Sequence, residues 1–229
     1  MDQITLKLAA GLTPRESRLI IGIAGSPAAG KSSFCHRLLN HINTLLRASD
    51  ASPGLGDSAI LLSLFPDPEL AHERRGIHWT FDGKGYVAFV QSLRLPLSSR
   101  TTHSDIKVIT APAFSHALKD PTPDAVSIHP HHRLVLIEGL YTFLSILPWS
   151  EASALLDERW FMRVDESEAC RRLVKRHVET GICSTEEEAR LRAEGNDLPN
   201  GRFVTENMMQ PTRFIDSIDD SVLARELDS

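Results

Sequence analysis

The chain has 229 residues, 41% of them hydrophobic and 24% charged, with a formal net charge of −5. That is enough apolar material for the core of one domain, and the acidic balance argues against a general nucleic-acid or membrane-surface binder. The cysteines Cys35, Cys170 and Cys183 lack paired or metal-type spacing, which suits a reducing compartment better than a disulfide framework.

Residues 1–17 read as a short mixed lead-in without a basic-then-apolar signal pattern. Arg18 to Ala24 is apolar and β-branched, the composition of a buried parallel strand. Gly25-Ser26-Pro27-Ala28-Ala29-Gly30-Lys31-Ser32 then matches G-x-x-x-x-G-K-[ST] at every fixed position. Phe34, Leu38, Ile42 and Leu45 follow at helical spacing, so a helix is expected from about Lys31.

Strand, Gly-rich turn and helix are the context in which this motif binds phosphate. Successive N–H groups and the positive end of the helix dipole face the anion. Lys31 is expected on the β- and γ-phosphates and Ser32 on Mg²⁺.

After a turn-rich linker, Ser58 to Leu64 reads as strand 2, broken by Phe65-Pro66-Asp67-Pro68-Glu69. Asp82 (or Thr80) is a candidate N-cap for a helix carrying Tyr86, Val90 and Leu93 inward. Ile106 to Thr110 reads as a short strand ending at Ala111-Pro112-Ala113-Phe114-Ser115-His116. The segment 117–132, with Pro121, Pro123 and Pro130, is expected to be a surface loop, its His129-Pro130-His131-His132 tract solvated rather than metal-binding.

Leu134 to Ile137 is a clear strand ending on Glu138-Gly139. The wider apolar run, Leu134 to Leu147, is interrupted by Glu138 and too short to cross a bilayer, so the protein is expected to be cytoplasmic. Glu158 to Asp165 is the next strand. A helix over 166–179 places Cys170, Leu173, Val174 and His177 on one face and Arg172 and Arg176 together on the other. A charged helix over 184–194, a turn at Asn196 to Gly201 and a last strand over 213–218 complete the order.

The loop alone does not choose between switch, motor and kinase. A guanine-specific Asn-Lys-x-Asp is absent, and the apolar strand ends in Glu138 alone rather than in Asp-Glu. A carboxylate there can reach Mg²⁺ or its waters, or help to position a nucleophile.

The ordered set of phosphate loop, Arg-Arg-Gly…Thr-Phe-Asp, Pro-x-Phe-Ser-His, apolar strand with Glu-Gly, Arg-x-x-x-Arg-His and Asn-Asp-x-Pro-Asn resembles the phosphoribulokinase/uridine kinase family. It is most similar to that family's bacterial and fungal nucleoside-kinase-like branch near type I pantothenate kinase, over about 18–218. The resemblance implies an α/β fold: one P-loop NTPase domain over 1–229, three-layer α/β/α, with a mostly parallel five-stranded sheet and a small helical lid over about 171–195.

It also implies an ATP- and Mg²⁺-dependent kinase acting on a hydroxyl of a small metabolite, whether nucleoside, pantothenate-like acid or sugar. Neither nucleic acid nor membrane is an expected partner, and a homodimer is common among relatives. By resemblance, Gly25 through Ser33 cradle ATP, with Lys31 on the phosphates and Ser32 and Glu138 at the metal. Arg172 and Arg176 match the lid arginines that close over the γ-phosphate. Asn196, Asp197 and Asn200 match a segment near the adenine, and Arg75, Asp82, Phe114 and His116 match positions near the acceptor.

One departure stands out. Strand 2 in this family runs into Asp-Gly-Phe-His, whose Asp is the base for the acceptor hydroxyl. Here about a dozen residues containing it are missing before Pro66-Asp67-Pro68. A positioned base contributes on the order of 10²–10⁴-fold, whereas phosphoryl transfer rests mostly on positioning and charge stabilisation. A slower kinase, a nucleotide-binding or NTP-hydrolysing relative without transfer, and a shortened transcript are all compatible with the sequence.

Overall fold

β1 (Leu19–Gly25) and β5 (Leu134–Glu138) are buried at every residue, which explains their continuous apolar sequence. Alternate side chains point to opposite faces of the sheet. Leu19, Ile21, Ile23, Leu134 and Leu136 pack with Cys35, Leu38, Ile42 and Leu46 on one face. Ile20, Ala24, Val135 and Ile137 pack with Val87, Val90, Leu93, Trp149 and Val204 on the other.

This computed structural model describes residues 8, 17–48, 59–63, 77–97, 108–115 and 120–218. Its main sheet has five strands in the order β2-β5-β1-β6-β7, with β2 at Ala59–Ser63, β6 at Glu158–Arg163 and β7 at Arg213–Asp216. Every pairing is parallel, and the register sets Ile23 opposite Glu138. Helices cover both faces, giving the three-layer arrangement expected. On the first face lies α1 (Lys31–Ala48). On the second lie α2 (Gly83–Leu93) and α3 (Trp149–Ala154), joined there by Val204 from α6 (Leu198–Asn207).

Between β6 and β7 run α4 (Glu166–Glu179), α5 (Glu186–Arg192), a π-helical turn (Ala193–Asp197) and α6. Gly181, in the left-handed region at φ 68°, ends α4, and the N–H groups of Ile182 and Cys183 donate to the His177 carbonyl. Thr185 caps α5 by accepting from the Glu188 N–H.

Two expectations are corrected. The segment after Ile128 turns as expected, but the stretch before it is not a loop: β3 (Ile109–Ser115) and β4 (Asp120–Ile128) form an antiparallel two-stranded sheet. Prolines hid it. The register slips between Ala111 and Ala113, on either side of Pro112, and Pro121 sits opposite Phe114. An isolated ribbon has two open edges, where a missing N–H is tolerated. The second correction is Asn196 to Gly201, read as a turn and found as a π turn running into α6. Pro199 lies in the first turn of that helix, where its absent N–H costs nothing.

The rings of His129, His131 and His132 contact one another, with centroids 4.3 to 5.6 Å apart. Among the described residues no group of three or more His, Cys, Asp or Glu side chains is suited to a metal ion. No helix of the described residues is long and apolar enough to cross a membrane.

Candidate active site

The chain leaves β1 through a turn that only glycine fits. Gly25 has φ 152°, and a Cβ there would lie 2.6 Å from the Met162 carbonyl oxygen of the neighbouring strand. Gly30 closes the loop at φ 83°, and Ala28 is held in the left-handed region at φ 59°. From Lys31 the backbone is helical, so the first N–H groups of α1 have no intrahelical acceptor.

The Lys31 ammonium bends back over the loop and donates to the carbonyls of Gly25 and Ser26, both at 2.9 Å. Desolvation, opposed by Glu138 and reinforced by the Arg176 charge, brings it down to about 8. A cation kept partly uncharged by its surroundings is one that an incoming polyanion recharges.

Ser32, in the first turn of α1, donates from Oγ to Glu138 Oε1 at 2.9 Å across 106 positions of sequence. Glu138 is only 7% exposed. The parallel register that ends β5 beside β1 produces this contact. A hydroxyl and a carboxylate oxygen side by side at a phosphate-binding loop are the hard oxygen donors that Mg²⁺ takes, usually through one or two protein groups with water and phosphate completing the set. The donor chemistry therefore fits that ion.

The α4 arginines differ in setting. Arg172 is largely covered and committed: Nε donates to Glu168 at 2.6 Å, and Nη1 to the Ala28 carbonyl at 3.2 Å and the Ser217 hydroxyl at 2.8 Å. Glu168, bound by Arg171 and Arg172, is held at about 2, well below the usual carboxylate range. Arg172 thus ties α4 to the strained residue of the loop and to the residue following β7. Arg176, one turn on, is exposed yet close enough for its charge to act on Lys31.

Of the segment matched to adenine, Asn200 is buried in the first turn of α6. Gly201 meets the loop directly: a Cβ there would lie 3.0 Å from Ser26 Oγ and 3.3 Å from Pro27 Cδ. Asn196 and Asp197 lie in the π turn, with the Asp197 carboxylate 3.0 Å from His177 Nε2. Ser33 is exposed on α1.

Of the residues matched to the acceptor, Asp82 caps α2 by accepting from the Gly85 N–H at 2.8 Å. The neighbouring Phe81 ring stands edge-on to Tyr141, three residues beyond Glu138, with centroids 5.0 Å apart. His78 stacks on Phe203 of α6 at 4.5 Å and 6°. The segment from His78 to Asp82 is therefore packed on the loop after β5 and on α6. Phe114 belongs to β3; Arg75, His116 and the shortened segment after strand 2 lie outside the described residues.

Sequence reasoning did not single out His78, Tyr141, Phe203, Glu168 or Ser217. Only the Glu168–Arg172 spacing of four gave a local signal; the others meet through tertiary packing.

No protein-family model matches the chain. Over 204 residues it is 35% identical to a candidate uridine kinase of Schizosaccharomyces pombe, a match spanning 87% of this chain and 83% of that one. Over 148 residues it is 43% identical to the ATP-dependent kinase-like protein notR' of Aspergillus versicolor, spanning 65% and 83%. Its fold matches solved YFH7 of Saccharomyces cerevisiae, described as a candidate P-loop containing kinase with a circular permutation. The TM-score is 0.75 at 22% identity, covering 94% of this chain and 99% of that one.

Proposed function

The chain belongs to the uridine kinase-like family of P-loop ATP-dependent kinases, and on that premise we propose that it transfers the γ-phosphoryl group of ATP to a hydroxyl of a small metabolite. The Ser32–Glu138 contact carries the proposal, because it sets two metal-type oxygens beside a phosphate loop already closed by Lys31. Gly25 through Ser33 cradle the phosphates, with Lys31 supplying a movable cation. Ser32 and Glu138 would hold Mg²⁺, which when bound neutralises charge on the phosphate oxygens.

Arg176 reaches the γ-phosphoryl group as charge spreads over its oxygens, and Arg172 keeps the helix that presents it on the loop. Asn196 and Asn200 lie on the nucleotide side. Asp82, Phe114, Arg75 and His116 serve the acceptor, a nucleoside, pantothenate-like acid or sugar. The partner is this small molecule rather than nucleic acid or membrane.

A second reading, nucleotide binding without transfer, is favoured by one observation: the family's Asp-Gly-Phe-His does not follow strand 2. ADP release from Mg-ATP, with and without a panel of nucleosides, vitamins and sugars, separates the two, with Lys31→Ala as the blank. Stimulation by one acceptor class, abolished in the variant, establishes the kinase and names its substrate. A flat panel with intact ATP binding overturns transfer and leaves the second reading.

A further inference from the structure

Two largely buried polar side chains join the helix that carries the arginines to the helix that touches the phosphate loop. His177 on α4 has 4% of its side chain exposed and Asp197 has 16%. A carboxylate can only accept, so His177 Nε2, 3.0 Å from Asp197 Oδ2, is the nitrogen that carries the proton. His177 Nδ1 is buried and has no hydrogen-bond partner among the described residues. Among the described residues, the imidazole is therefore held by this one directional contact.

Elsewhere these elements meet through an exposed ion pair at the start of α4, where Arg202 of α6 donates from Nε to Glu166 at 2.8 Å, and through a small apolar patch of Ala169, Leu173, Ala193 and Leu198. Such a patch is non-directional and holds two helices together without setting their register. The His177–Asp197 hydrogen bond does set it where Arg176 stands: it is the largely buried directional contact, whereas the Glu166–Arg202 pair is solvent-exposed and lies at the opposite end of α4. His177 directly follows Arg176, so its position determines where Arg176 projects from α4. Asp197 closes the π turn, and the chain runs from it straight into α6 to Gly201, which packs on Ser26 of the loop. Arg172 ties the middle of α4 directly to Ala28 of the loop, and the His177–Asp197 joint adds a second route, beside Arg176, that runs through α6 to Ser26.

We propose that His177 and Asp197 are a positioning pair: their hydrogen bond holds α4 in the setting from which Arg176 meets the γ-phosphoryl group. Asp197 serves this joint and does not contact the nucleotide. The inference rests on the assignment of Arg176 to the γ-phosphoryl group, but needs neither an acceptor nor turnover, so it is tested by binding.

Titration calorimetry on the full chain measures affinity for Mg-ATP and Mg-ADP, and their ratio reports contact with the third phosphate. The variants are Arg176→Ala, His177→Phe, Asp197→Ala, Asp197→Asn and the double variant Arg176→Ala/His177→Phe. His177→Phe keeps the ring volume without the donor. Asp197→Ala alters a carboxylate partly open to solvent, so it decides the matter where His177→Phe does not fold.

The wild type prefers ATP. His177→Phe and Asp197→Ala each lower that preference by roughly tenfold, to the level of Arg176→Ala, while Mg-ADP affinity stays within about twofold. Asp197→Asn, which keeps an acceptor oxygen, retains the preference, and the double variant is no worse than Arg176→Ala alone. Equal weakening of Mg-ATP and Mg-ADP by Asp197→Ala would identify Asp197 as a nucleotide ligand and overturn the inference. So would additive losses in the double variant, an unchanged ratio in Asp197→Ala, or a wild type indifferent to the third phosphate. Absence of transfer to any acceptor, with the binding pattern intact, removes the kinase reading and leaves the joint standing.

Discussion

Lys31 makes nucleotide binding a proton-taking step. Desolvation, reinforced by Arg176 and opposed by Glu138, brings its ammonium down to about 8 in the free protein. Phosphate oxygens placed against it favour the charged form and raise it again. At a free-state value of about 8, half the molecules carry neutral Lys31 at pH 8, so binding takes up about half a proton there and about a tenth of one at pH 7.

The sign is fixed: the charged form binds, so affinity is level below pH 8 and falls above it, by about tenfold between pH 7 and pH 9 if the complex restores an ordinary lysine. Mg-ATP is fully ionised across this range, and burial pushes the neighbouring Cys35 thiol well above it. Calorimetric titration with Mg-ATP in buffers of different ionisation enthalpy gives the proton count as a slope. Lys31→Ala abolishes the slope. Zero uptake by the wild type at pH 8, or the same uptake by Lys31→Ala, would refute the argument.

Two further outcomes are expected. Glu138→Gln, which leaves Ser32 a neutral partner, raises the Mg²⁺ concentration needed for half-maximal ATP binding by about 10- to 100-fold; an unchanged Mg²⁺ requirement in that titration would remove Glu138 from the metal site. Gly25→Ala forces a Cβ to 2.6 Å from the Met162 carbonyl at a glycine-type dihedral. It should cost about 2–4 kcal/mol of stability in urea denaturation, and a cost under about 0.5 kcal/mol would mean that β1 and β6 separate more readily than their packing implies.

Elements whose cause is local were legible from the residues. Asp82 is the cap that its position suggests, and on the face of α4 that carries Cys170, Leu173, Val174 and His177 the last three are buried and Cys170 is half-buried. The β3–β4 ribbon was not legible, because proline is read as a breaker and only the partner strand shows that its N–H is not needed. The start of α6 was lost for a related reason: Asn-Asp-x-Pro-Asn-Gly has turn composition. Packing of Leu198, Gly201 and Val204 overrides that preference.

Contiguous residues determine the phosphate loop: glycines where left-handed dihedrals are needed, a lysine and serine at fixed offsets, an apolar strand before and a periodic helix after. Every one of those requirements is met within a few residues, so sequence alone carries them. Pairings across long loops have no such local signature. The parallel register of β1 and β5 brings Glu138 to Ser32, and the fold of α4 through α6 brings Asp197 to His177 and Gly201 to Ser26. Those contacts depend on strand order and helix packing, and only the tertiary structure decides them.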